Sequence, residues 1–309
     1  LKKAFLITVL FVVAGSFGCK RKLVSISGGS APAAPASAES PKPTVEQAMS
    51  LYAKGYNQLI GPMKYTIEEY QRALPEVTGA PKGKVILTQG TADRDIDGAA
   101  KAFAEAKQVT PASHADLQAL ADAVIATARA VRKDYGDAVR YYAAENFKDD
   151  KGEGAKAIDG RMRASVEAYA KAVDKMQDRM GQLELESMEA ELKTVDQNKP
   201  GYYFRAFNLE AKRFLGVMDK SDKVPAALEN VKAMAEKLRK FAETRPDAQV
   251  AFKNYVTNAT GFESQAIAYA RNVKDSKEQP NPSLLISRYN NLVQIGNALY
   301  QLDDQGLLK

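Results

Sequence analysis

The sequence predicts an all-α fold, an elongated antiparallel helical bundle built around two long central helices. Three observations predict it. Ala, Lys and Glu are abundant, there is no Trp among 309 residues, and runs of β-branched residues are few, a composition that favours helix. Two long stretches repeat apolar residues at spacings of three and four, as one buried helical face does. Between them lies only the polar turn from Lys148 to Gly154, so the two should fold back on each other as a hairpin.

Taken in order, the chain begins with Lys2 and Lys3, the apolar run Ala4 to Val13, and then the small residues Ala14, Gly15, Ser16 and Gly18. Residues 1–18 read as a secretory signal peptide. The run is too short to span a membrane, which takes about 20 apolar residues. Gly18 followed by Cys19 resembles the lipobox of bacterial lipoproteins, with Ser16 where that motif usually has Leu. That resemblance implies cleavage before Cys19 and acylation of its thiol. Lys20, Arg21 and Lys22 follow directly and suit anionic headgroups. Cys19 is the single cysteine, so no intramolecular disulfide supports the fold. Residues 19–43 form the anchor and a tether rich in Ala, Pro and Ser.

The helical bundle is expected over residues 44–309. Thr44 and Gln47 fit a capping box that opens the first helix. Gly61-Pro62 should break it, and a second piece from Lys64 should stop at Pro75. Residues 76–95 read as a loop, the most mobile part of the domain. Ser113 and Asp116 form another capping pattern, opening the first long helix, roughly 50 Å through Phe147. Its stripe comprises Leu117, Leu120, Val124, Ala128, Val131, Tyr135, Val139 and Tyr142. The second long helix carries Ile158, Met162, Val166, Tyr169, Val173, Met176, Met180, Leu183, Met188 and Leu192, and reaches roughly 60 Å. Four further helices start near Tyr202, Pro225, Ala248 and Pro282, the last with Asn281 as cap and Pro282 at its first position.

Three segments, Tyr56 to Gly61, Tyr141 to Met162 and Tyr289 to Val293, resemble the YiiG-like bacterial lipoproteins, a family of unknown function. The likeness runs from about Ala48 to Leu302. It implies a helical lipoprotein of the cell envelope and supplies no activity. Some members are expected to carry a histidine near the position of Asp159; its absence here means that no metal or acid-base role transfers. The echo between Tyr56-Asn57 and Tyr289-Asn290 predicts that the first and last helices pack side by side, with at least one Asn bonded across them.

Catalytic patterns are missing. The single histidine, His114, reads as a solvent-facing residue beside a helix start, and one His without a Cys cluster makes no usual zinc site. Imelysin-like envelope proteins carry a His followed three residues later by Glu, and Leu117 stands in that place here. Glu184, Glu186, Glu189 and Glu191 read as a solvated helix face rather than an acid-base pair. Met162, Met176, Met180 and Met188 read as core filling. No metal, cofactor or catalytic residue is indicated. The whole chain carries a formal charge of +6, with bases interleaved among acids, and an exported chain has no nucleic acid to meet. The expected partners are a membrane, reached through the lipid anchor, and an envelope protein or polysaccharide. The expected place is the outer membrane, facing the periplasm. The leading reading is a lipid-anchored binding or scaffold module; the alternative is an enzyme acting on envelope polymers through carboxylates in a cleft.

Overall fold

The computed structural model describes residues 44–77, 87, 92–245, 250–275 and 280–308. The signal segment, Cys19, the tether and most of the expected loop at 76–95 lie outside the described residues. Among the described residues every regular element is helical, and none is long and apolar enough to cross a membrane. They fall into two compact units that divide between Met180 and Gly181.

The first unit holds α1 (Val45–Val77), α2 (Ala92–Val109), α3 (Asp116–Ala143), the short α4 (Phe147–Asp150) and the larger part of α5 (Glu153–Leu192). Thr44 and Gln47 form the expected capping box, each side chain accepting the other's backbone N–H. The expected break at Gly61-Pro62 does not occur, for α1 continues to Val77. Ile60 and Met63 on either side are buried, so packing holds the helix through the backbone bond that Pro62 cannot make. The helix α2 was not legible as one. Its buried stripe is largely alanine, with Ala92, Ala99, Ala102 and Ala106 beside Ile96 and Phe103, and therefore gives little apolar contrast.

The expected cap at Ser113 is also absent. Residues Ala112–His114 form a single 3-10 turn, and α3 starts at Asp116 without a side-chain cap. The hairpin of α3 and α5 is present. Asp134 accepts bonds from Ser165 and Arg161, while Asp116 pairs with Arg179, an order that makes the two helices antiparallel. The turn between them is built on Asp150, which accepts the N–H groups of Gly152 and Gly154 and the hydroxyl of Tyr141. Arg129 with Asp97 and Arg132 with Asp93 set α2 against α3. Tyr70 donates to Asp159 on α5, and Tyr135 to Glu69 on α1. These pairings give an up-down-up-down bundle of α1, α2, α3 and α5.

The second unit takes the end of α5, from Gly181 on, with α6 (Pro200–Leu215), α7 (Val224–Glu243), α8 (Val250–Asp275) and α9 (Ser283–Asp304). The side chain of Asn281 accepts the N–H of Ser283, but Pro282 rather than Asn281 is the N-cap, so the cap and the helix start each fall one residue later than expected. Its core is aromatic: Phe204, Phe207, Phe214, Phe252, Tyr255 and Phe262 are all fully buried. The rings of Tyr203 and Phe241 stack at 4.0 Å between α6 and α7, and those of Phe241 and Phe252 meet edge to face between α7 and α8. Tyr255 donates to the carbonyl of Phe204 and Tyr269 to that of Met218, so α8 runs parallel to α6. α9 returns antiparallel beside both, with Tyr300 against Phe204 and Tyr289 against Phe262.

Candidate functional site

Buried polarity in the second unit is concentrated on one face of α6. Arg205, Asn208 and Lys212 stand three and four residues apart, so the helix presents them as one stripe, and each is at most 8% exposed. Such groups persist inside a protein only when hydrogen-bonded or paired. The end of α5 supplies the partners. Glu191 accepts from Arg205 Nε at 2.8 Å, Glu184 pairs with the Lys212 ammonium, and Glu189 pairs with Arg213. The reading of these glutamates as a solvated face is therefore corrected for Glu184 and Glu191, because a facing helix offers buried cations that one helix's spacing cannot reveal, whereas the Glu189–Arg213 pair is half-exposed. Glu186 is exposed.

Arg205 also donates to Asp303 of α9 at 2.6 Å and to the carbonyl of Gly201 at 3.1 Å. Its guanidinium lies 4.8 Å from the ring centre of Phe204 and 4.3 Å from that of Tyr300. Burial works against its charge, but the bonds to Glu191 and Asp303 prevail and hold its pKa above the ordinary arginine value. A Cβ on Gly201 would stand 2.5 Å from an Asp303 oxygen, so the first turn of α6 is kept bare to admit this pair. Asn208 accepts the Tyr255 hydroxyl at 2.6 Å, and Gly296 brings the α9 backbone close to the Asn208 amide.

These groups border a cavity of about 40 Å³, room for roughly two or three water molecules. Glu184, Ser187, Met188 and Glu191 line it from α5, Asn208 from α6, and Tyr289, Val293, Asn297 and Tyr300 from α9. Tyr289, one of these lining residues, is 7% exposed. Burial raises its pKa well above the phenol range, with Glu184 and Tyr300 adding to the effect. The site therefore offers neutral phenols and amides, while its carboxylates are already engaged by cations. That chemistry suits hydrogen bonding to an uncharged polar group. Among the described residues no group of three or more His, Cys, Asp or Glu side chains is gathered as a metal would require.

The residues singled out by sequence are dispersed. Cys19 lies outside the described residues. Tyr56 is buried in the first unit and Tyr289 in the second, while Asn57 is exposed and Asn290 half-buried. Of the two asparagines of which at least one was expected to bond across helices, Asn57 is thus on the surface of its unit. His114 is half-buried, with its Nδ1 enclosed and unbonded, rather than facing solvent. Asp159 is buried, accepting from Tyr70 and Arg163. Sequence reasoning missed Arg205, Asn208 and Lys212. Their signal was present as a polar stripe inside an otherwise apolar helix.

Comparison with known proteins extends the family likeness. The chain is 24% identical over 238 residues to "Uncharacterized protein YiiG" of Escherichia coli (strain K12), covering 74% of this chain and 67% of that protein. No solved structure matches it. The model of the family described as "Protein of unknown function (DUF3829)" matches residues 45–291, from the first residue of α1 into α9. The chain belongs to that family.

Proposed function

We propose that this protein is a lipid-anchored component of the bacterial cell envelope, and that its helical part works as a binding or scaffold module held near a membrane. The opening segment carries the proposal: two bases, an apolar run, small residues, then Gly18-Cys19 and three bases. Two or more acyl chains on one residue make anchoring durable, at about 0.8 kcal/mol per buried methylene. Residues 24–43, rich in Ala, Ser, Gly and Pro, read as the tether between that anchor and the bundle. Lys20 after the cysteine fits retention at the outer membrane, facing the periplasm. Binding is preferred to catalysis because Glu184 and Glu191, which line the cavity, are paired with buried cations, an arrangement that fixes helices rather than moving protons.

Cys19→Ser tests the proposal. Cells fed labelled fatty acid should label the wild-type protein and hold it in the membrane fraction, and the variant should lose both properties. Its three remaining bases attract only weakly and in a salt-sensitive way. A variant that still takes up label and stays in the membrane pellet overturns the lipoprotein reading.

A further inference from the structure

One row of α9 has a composition unlike the rest of the protein. Ser283, Ser287, Asn290, Gln294, Asn297 and Gln301 follow one another at intervals of four, three, four, three and four. At 100° per residue those intervals keep all six within an arc of about 80°, along roughly 27 Å of helix. Ser283, Ser287, Gln294 and Gln301 are exposed, and Asn290 and Asn297 are half-buried. The row contains no charge, although charged residues make up 27% of the chain. Asn297 belongs to the row and also walls the cavity, beside the 7%-exposed Tyr289.

We propose that this row and the cavity on its flank form a binding face for an uncharged, hydroxyl-rich polymer, a glycan strand. Amides and hydroxyls that recur once per helical turn match a ligand whose own hydroxyls recur with each sugar ring. A row without cations gives phosphates and acidic polymers nothing to pair with. Leu284, in the first turn, is the only exposed large apolar residue of α9 among the described residues, so a partner helix would find no hydrophobic seam. In the cavity, the Tyr289 hydroxyl meets a ligand hydroxyl, which can both donate and accept. This deepens the binding-module reading and rests on it, because envelope residence is what brings a glycan within reach.

The purified full-length protein in detergent micelles should be titrated with hexamers of β-linked glucose and of β-linked N-acetylglucosamine, and with heparin as a charged probe. Calorimetry should show saturable binding of at least one neutral hexamer, and which one binds separates a plain glucan from an acetylated amino-sugar strand. Gln294→Ala with Gln301→Ala alters only exposed side chains and should weaken that binding about tenfold, with helicity by circular dichroism unchanged. Tyr289→Phe removes one hydroxyl from the cavity wall and should weaken it severalfold, whereas Lys237→Ala on α7 should leave it unchanged. Binding of neither hexamer, preference for heparin, or affinity unmoved by the α9 and Tyr289 changes overturns the proposal. Lipid anchoring is read from fractionation, so it stands or falls separately.

Discussion

Arg205 concentrates the chemistry of the second unit in one side chain. Its planar fork spans two carboxylates on different helices while its faces meet two rings, which a lysine ammonium cannot reproduce. Removing one partner of a buried ion pair costs more than the pair contributes, because the other charge is left behind. Arg205→Ala should therefore destabilise the protein by about 3 kcal/mol, toward the low end for buried pairs because Glu191 is 38% exposed and regains water. Arg205→Lys should recover less than half of that loss. Urea unfolding followed by circular dichroism measures both, and a loss below about 1 kcal/mol would place the ion pair among inert surface contacts.

Helix packing gives two glycines opposite roles. A Cβ on Gly55 of α1 would stand 2.6 Å from the Phe103 ring and 3.1 Å from the Ala99 carbonyl, both on α2. Both neighbours are buried and cannot retreat, so this glycine sets how closely the two helices approach. Gly160 of α5 is exposed, and a Cβ there would meet nothing within 4 Å. Gly55→Ala should thus destabilise by about 1–3 kcal/mol through overpacking. Gly160→Ala should stabilise by about 0.5–1 kcal/mol, because alanine is the better helix former. Thermal melts of the two variants should move in opposite directions, and a shift of the same sign would refute the account of the α1–α2 contact. The α9 row belongs to this scale too. Its spelling was visible in the sequence, yet it gained meaning only when Asn297 proved to wall a cavity.

At the scale of the whole molecule, charge and tyrosine content govern the response to pH. From Thr44 onward 38 bases face 37 acids, a net charge of +1, so the basic excess belongs to the segment before the bundle, with its six bases and one acid. Eleven tyrosines distributed over both units have pKa values raised by burial, to about 12 for Tyr141 and Tyr142. A buried phenol gives up its proton less readily than an unfolded one, whose pKa is near 10. The folded state therefore holds the extra protons above about pH 10, and its stability falls as pH rises from there through about 12. Below pH 10 the contribution is fully present. Melting temperature should be flat in this respect from pH 7 to about 10 and then drop, with phenolate absorbance rising together with the loss of helix. Phenolate formation well before unfolding would show these tyrosines to be accessible.

The sequence by itself determined that this is an all-helical protein. It determined both long stripes, the hairpin turn, the four helices of the C-terminal half and the capping box at Thr44, because helical periodicity, turn residues and caps are local properties that a single segment spells out. The expected leader, anchor and tether rest on sequence alone. Tertiary structure alone decided what local rules cannot reach. It carried α1 past Pro62, since buried neighbours outweighed one missing backbone bond. It revealed α2, whose alanine stripe is recognisable only against the helices that it fits. It divided the bundle into two units, and it turned Glu191 and Glu184 from a polar surface into partners for Arg205 and Lys212. The physical reason is that a charge or a small residue acquires its role from what faces it, and the facing residue lies on another helix.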